Sequence, residues 1–234
     1  MKYRKFTIIE LMIVISIIVI LAALLLPALN SAREKAHGIA CLSNQKQTGL
    51  SCQLYTDQNN NFLAVQFVSG TGYDDYYWGV EVFGSRNAIP KNAFCPSFPS
   101  AVKETDFYAK TYGMRGHYIL GDTVDKAHGD PVISGGLDHN NPLSIDFRKL
   151  KHPTLFPVLF DAIGYTTGAP SWNFTGTEIK GIHFRHSGRT NTWYADGHAN
   201  GSDFYSCYRK FSPTGWLYTN GGRFRKADYR IAYP

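Results

Sequence analysis

Residues 6–29, FTIIELMIVISIIVILAALLLPAL, decide how this chain begins its fold. They form a near-continuous apolar run directly behind the basic pentapeptide MKYRK (1–5). Leu11 to Leu29 spans 19 residues, enough for about 28 Å of helix at about 1.5 Å per residue. Thirteen of these are Leu, Ile or Val. At roughly 0.3–0.6 kcal/mol each they favour insertion by about 4–8 kcal/mol, against about 3 kcal/mol for one acid even at mid-bilayer. The segment therefore inserts despite Glu10, and Lys2, Arg4 and Lys5 keep its N-terminus in the cytoplasm. A cleaved secretory signal would need a shorter apolar region and a small-residue cut site. Here the run is longer and passes through Pro27 into NSAREKAHGIACLSNQKQ, which still reads as helix. Pro27 removes one helical hydrogen bond and is expected to bend the helix.

The stretch FTIIELMIVISIIVILAALLLPALNSAREKA resembles the class III signal and N-terminal helix of type IV pilins and type II secretion pseudopilins. The resemblance implies cleavage by a prepilin peptidase between Lys5 and Phe6, followed by methylation of the new Phe6 amine. The family usually carries Gly before the cut, where this chain has Lys5. Glu10 then takes the place of the family's glutamate at the fifth mature position, and Pro27 that of its helix-kinking proline. Phe6 and Glu10 are i and i+4 and share a helix face. A carboxylate persists in lipid when it is paired, and the freed amine of Phe6, on the same or a neighbouring subunit, is the natural partner. Glu10 is thus read as an assembly register, against the plainer reading of a carboxylate that snorkels to the headgroups.

The remaining chain, about 200 residues, suits one globular domain. Of the net charge of +6, three units are Lys2, Arg4 and Lys5, and no basic run of nucleic-acid-binding length follows. With 15 Tyr, 15 Phe and 22 Gly, the domain reads as strand- and turn-rich. We expect the helix to continue to about Asp57 with Ala36, Ile39, Ala40, Leu50 and Leu54 as its apolar stripe, weakened at Gly38 and Gly49. Strand candidates are 62–68, 76–83, 117–120, 154–161, 182–186, 191–199 and 215–219. The fold class is α+β, pilin-like: a long helix packed on an antiparallel sheet. The divisions are a leader (1–5), a transmembrane half-helix (6–30), an exported half-helix (31–58) and a β-rich domain (59–234).

In that domain RHSGRTNTWYADGH places His186 nine residues before Asp196-Gly197, an H-X9-DG signature similar to that of a large bacterial group of prepilin-like proteins. Three further pieces match the group: Cys41, Asn44 and Gln47 in CLSNQKQ, FCPS at 94–97, and Tyr112-Gly113-Met114. Residue by residue, the signature reads as two strands joined at Ser187–Thr190, followed by a tight turn at Asp196-Gly197. His183, His186, Asp196 and His198 could be gathered into a zinc site, but their spacing matches no zinc pattern. His186, Asp196 and Gly197 are therefore read as fold-holding residues, with no metal and no cofactor expected.

Cys41 and Cys52 lie about 16 Å apart along a helix, too far to bridge. Cys41–Cys95 is the first choice for a disulfide because both lie in group-like motifs, and buried free thiols are the alternative. No GxSxG, Walker A or HExxH motif occurs, and no catalytic residue is expected. The expected protein is a single-pass subunit of a bacterial inner membrane, its domain exported. It would assemble into a type II pseudopilus or type IV pilus-like filament, with other pilin-like subunits and an assembly platform as partners and no nucleic acid. The alternative is a single-span surface protein binding an extracellular ligand such as polysaccharide through exposed Trp and Tyr.

Overall fold

The structure is a computed structural model. It describes residues 7–69, 72–85, 88–97, 111–115, 129, 131–133, 143–164, 173–174, 180–203, 206, 224–226 and 231–232. Lys5, Phe6, Cys207 and the strand candidates at 117–120 and 215–219 lie outside the described residues.

Helix α1 runs unbroken from Ile8 to Gln58, through Pro27. Thr7 is its N-cap, and Thr7 and Glu10 form a reciprocal capping box. Thr7 N–H and Oγ1–H both reach Glu10 Oε2, at 2.9 and 2.8 Å, and Glu10 N–H donates to Thr7 Oγ1 at 3.3 Å. These bonds satisfy backbone donors that every helix start leaves without an intrahelical acceptor. At the other end Asn59, Asn60 and Asn61 stop the helix, the last two at φ of 52° and 63°, a region asparagine enters more readily than most residues.

The two halves of α1 have different surroundings. From Ile8 to Leu29 the large apolar side chains are exposed all round, with Ile8 at 78% and Leu24 at 71%. It is, among the described residues, the one helix long and apolar enough to cross a membrane. The second half docks on the domain through Cys41, Gln45, Thr48, Gly49, Cys52 and Thr56, a three-four spacing that keeps one face inward. The apolar stripe faces away from that contact: Ile39, Leu50 and Leu54 are 71%, 56% and 56% exposed. Small and polar residues form the contact because the helix lies close to the sheet. A Cβ on Gly49 would stand 2.2 Å from Trp193 Cε2, and one on Gly38 would stand 3.4 Å from His186 Cβ. These glycines are the approach points of helix and domain.

Among the described residues the domain forms three small, mostly antiparallel sheets. The first orders β2 (Gly72–Tyr77), β1 (Phe62–Ser69), β5 (Leu143–Asp146) and β4 (Val132–Ile133). The second orders β11 (Ala199–Asp203), β10 (Arg189–Tyr194), β6 (Pro157–Phe160), β3 (Gly113–Arg115) and β8 (Asn173–Phe174). The third orders β13 (Ile231–Ala232), β12 (Phe224–Lys226), β9 (Lys180–Phe184) and β7 (Ala162–Gly164). Helix α1 packs against β10, β11 and β1, so the layout is α+β. The strand expected at 76–83 is corrected: β2 ends at Tyr77, and Trp78–Phe83 is a short helix, α2. Helical turning takes the Trp78 ring into the core, where its Nε1–H donates to Tyr112 O at 3.2 Å. Trp78, Trp193, Tyr112, Phe156, Leu63 and Met114 form much of that core.

Candidate metal centre at the helix–domain junction

Asp161 stands where one extended run changes sheets. Before it, β6 pairs with β10, and after it, β7 pairs with β9. Asp161 N–H donates to Asn191 O at 3.2 Å, and Asp161 O accepts from His183 N–H at 2.6 Å. Its backbone thus stitches the two sheets together, and its side chain points into the gap between them, fully buried.

His186 reaches the same gap from a tight turn. His186 and Arg189 exchange both backbone hydrogen bonds, at 3.1 and 3.0 Å. Ser187 and Gly188 between them take φ of 52° and 78°, the two positive values of a type I′ hairpin. The expected strand–turn–strand is therefore present, with its two strands passing into different sheets. Glu34 of α1 accepts from the Ser187 N–H at 3.2 Å, which holds the turn against the helix.

Two thiols complete the group. Cys41 points inward from α1, and Cys95 comes from the FCPS loop. One donor atom from each of Cys41, Cys95, Asp161 and His186 lies within 4.8 Å of every other, and all four residues are buried. Cys41 Sγ is 3.3 Å from Asp161 Oδ1. His186 Nε2 is 3.5 Å from Cys95 Sγ and 3.3 Å from Asp161 Oδ2. The expected partners Cys41 and Cys95 are thus brought together, as free thiols.

A polar clasp surrounds them. Tyr112 Oη lies 3.4 Å from Cys41 Sγ, and its one proton is shared between the carbonyls of Cys41 and Phe94, at 3.2 and 3.1 Å. Asn44 Nδ2–H donates to Phe94 O, Thr48 Oγ1–H to Asn92 O, and Asn92 Nδ2–H to Gln47 Oε1. Gln45 Nε2–H reaches Asn191 O, and Asn191 Nδ2–H reaches Gly38 O. The four motif pieces scattered along the sequence therefore meet at one junction between helix and domain.

Electrostatics in this pocket follow from who faces whom. Cys95 is held down to about 5 by its hydrogen bond with Cys41, helped by His186 and Arg185 and opposed by burial. Cys41 is pushed well up by burial and the neighbouring Cys95 and Asp161. Burial works against a charged His186, yet its contacts with Asp161 and Cys95 raise it to about 9. Burial likewise opposes ionisation of Asp161, but His186 and Arg185 keep it below its ordinary value. The buried Arg185 guanidinium donates through Nε to His183 Nδ1 at 3.0 Å and through Nη2 to Ala162 O at 2.7 Å.

The other signature residues stay outside. Asp196 Oδ1 accepts from His198 N–H at 3.1 Å and contacts His198 Nδ1 at 2.5 Å near the surface. Gly197 turns at φ 91° against Gln53 of α1. The tight turn expected at Asp196-Gly197 is in place, and His183, Asp196 and His198 do not gather round His186. Asp161 has no sequence signal of its own, since an isolated aspartate after a strand carries no motif. Of the aromatics a sugar platform would use, Trp78 and Trp193 are buried.

Compared with protein-family models, curated proteins and solved structures, the chain matches none. Fold and site define the class: an α+β domain carried on a long N-terminal helix able to span a membrane, the two joined over a buried cysteine–histidine–aspartate cluster.

Proposed function

We propose that this chain is a prepilin-like, membrane-anchored subunit that assembles into a type II pseudopilus or type IV pilus-like filament. The observation that carries the reading is the division of labour along α1. Its first half is apolar on every side, and none of its most apolar stretch is buried among the described residues. Its second half docks through a narrow face of small and polar residues and leaves Ile39, Leu50 and Leu54 outward. A helix built this way suits lateral packing with copies of itself, in lipid and then above it. A soluble ligand-binding domain would not need the outward stripe. Phe6-Thr7-Ile8-Ile9-Glu10 behind a basic pentapeptide adds the processing signal, with Lys5 and Phe6 flanking the cut.

Intact mass and N-terminal sequencing of the membrane-extracted protein test this. The expected product lacks residues 1–5 and begins at an N-methylated Phe6. Retention of Met1, or a start beyond Ala23, would overturn the reading.

A further inference from the structure

We propose that Cys41, Cys95, Asp161 and His186 form a closed, four-coordinate structural site for a divalent metal ion of the zinc class.

The geometry is that of ligands round one point. Zinc sits about 2.3 Å from thiolate sulfur and about 2.0–2.2 Å from imidazole nitrogen and carboxylate oxygen. In a tetrahedron these lengths set nitrogen–sulfur edges of about 3.6 Å and nitrogen–oxygen edges of about 3.4 Å. The corresponding separations here are 3.5 Å for His186 Nε2 to Cys95 Sγ and 3.3 Å for His186 Nε2 to Asp161 Oδ2. The remaining donors fall within the 4.8 Å envelope. Small shifts of side chains already in place would close the shell.

Outer contacts orient the donors, as metal ligands require. Ser97 Oγ lies 3.4 Å from His186 Nδ1, which directs Nε2 inward. Asn191 N–H donates to Asp161 Oδ2 at 2.9 Å, and Tyr112 Oη sits beside Cys41 Sγ. Charge also closes. Two thiolates and a carboxylate bring three negative charges, and a divalent cation with the buried Arg185 brings three positive ones. On binding, the protons still held on the donors, those of the Cys41 thiol and of His186 Nε2, leave to solvent.

Closure distinguishes the role. Cys41 and Asp161 are 0% exposed, and Cys95 and His186 are 6% exposed. With four protein ligands no coordination position remains for substrate or water, which is the pattern of structural zinc. The four ligands come from α1, the FCPS loop, the β6–β7 junction and the His186 turn. The ion would staple the exported half-helix to the domain at the point where the motif pieces meet. A Cys41–Cys95 disulfide would use the same thiols and leave the imidazole and carboxylate without a shared role.

The test uses the full chain in detergent, stripped with chelator under reducing conditions and then equilibrated with Zn²⁺ or Co²⁺. The expected result is one metal per chain by elemental analysis, a thiolate-to-cobalt charge-transfer band, and a higher melting temperature with metal than without. Cys95→Ser and His186→Ala should lose the metal, and Cys52→Ser, a buried cysteine outside the group, should keep it. His186→Cys replaces one zinc ligand by another and should recover binding, which separates a lost ligand from a lost fold. Failure of the native chain to take up metal, metal retained by both Cys95→Ser and His186→Ala, or a Cys41–Cys95 disulfide in protein isolated from its membrane would each overturn the proposal.

Discussion

Glu10 shows how one side chain can carry two roles that must be separated by chemistry. Its carboxylate caps α1 through Thr7, a task glutamine performs equally well in a capping box. An assembly register that pairs with a neighbour's amine needs the charge. Glu10→Gln should therefore keep the helix start and still insert and be cleaved, yet fail to co-purify with other pilin-like subunits. Glu10→Ala should fail likewise. If the glutamine variant assembles as the native chain does, capping is all that Glu10 contributes. Asp146 poses a simpler electrostatic case. It is buried and accepts from Arg148 N–H at 3.0 Å and from the guanidinium at 2.8 and 2.9 Å. The Arg148 side-chain bonds, partly opposed by burial, hold it below its ordinary 3.8. A depressed folded value stabilises above the unfolded value and loses that contribution as pH falls through the folded one. Asp146→Asn should cost about 1 kcal/mol at neutral pH. The gap to the native chain should narrow in melting curves taken progressively below pH 3.8. A gap independent of pH would mean that the ion pair contributes nothing.

At the scale of elements, the contact between α1 and β10 rests on the absence of a side chain. Alanine is about 1 kcal/mol better than glycine inside a helix, so helix propensity alone predicts that Gly49→Ala stabilises. The added Cβ would meet the buried Trp193 indole at 2.2 Å, and overpacking of that kind costs about 1–3 kcal/mol, occasionally more. We expect packing to win, with a net loss of about 1 kcal/mol in denaturant unfolding. A rise in stability would show that the helix can move away from the sheet freely. Gly197 combines both constraints. Its φ of 91° and the 2.7 Å approach of Gln53 Nε2 make Gly197→Val worse than any change at the neighbouring exposed Asp196, by melting temperature.

For the whole molecule, the outward stripe is the feature that domain stability does not explain. Leu50 and Leu54 are more than half exposed, and surface substitutions of that kind usually stay within about 0.5 kcal/mol. Leu50→Lys with Leu54→Lys should leave the domain's melting unchanged and abolish association with other pilin-like subunits. Intact association would move the assembly surface elsewhere on the molecule.

The N-terminal helix was legible in the chain itself. Thirteen aliphatic residues in 19 carry their own reason to leave water, wherever the domain lies. Local rules also placed the helix end near residue 58, the Ser187-Gly188 hairpin and the Asp196-Gly197 turn, since each depends on a few adjacent residues. Hydrophobicity alone does not mark the docking face: Ile39, Leu50 and Leu54 stand outward, whereas the sheet's closeness requires Gly49, Thr48 and Cys52 there. The Cys41–Cys95–Asp161–His186 cluster was visible only in fragments. Cys41, Cys95 and His186 stood out by motif, but nothing local marks Asp161. Its place is decided where one strand run passes between two sheets, and its donors come from four segments far apart in sequence. Spacing can specify a site built on one hairpin. A site built across a helix–sheet junction exists only once long-range packing has set the distances.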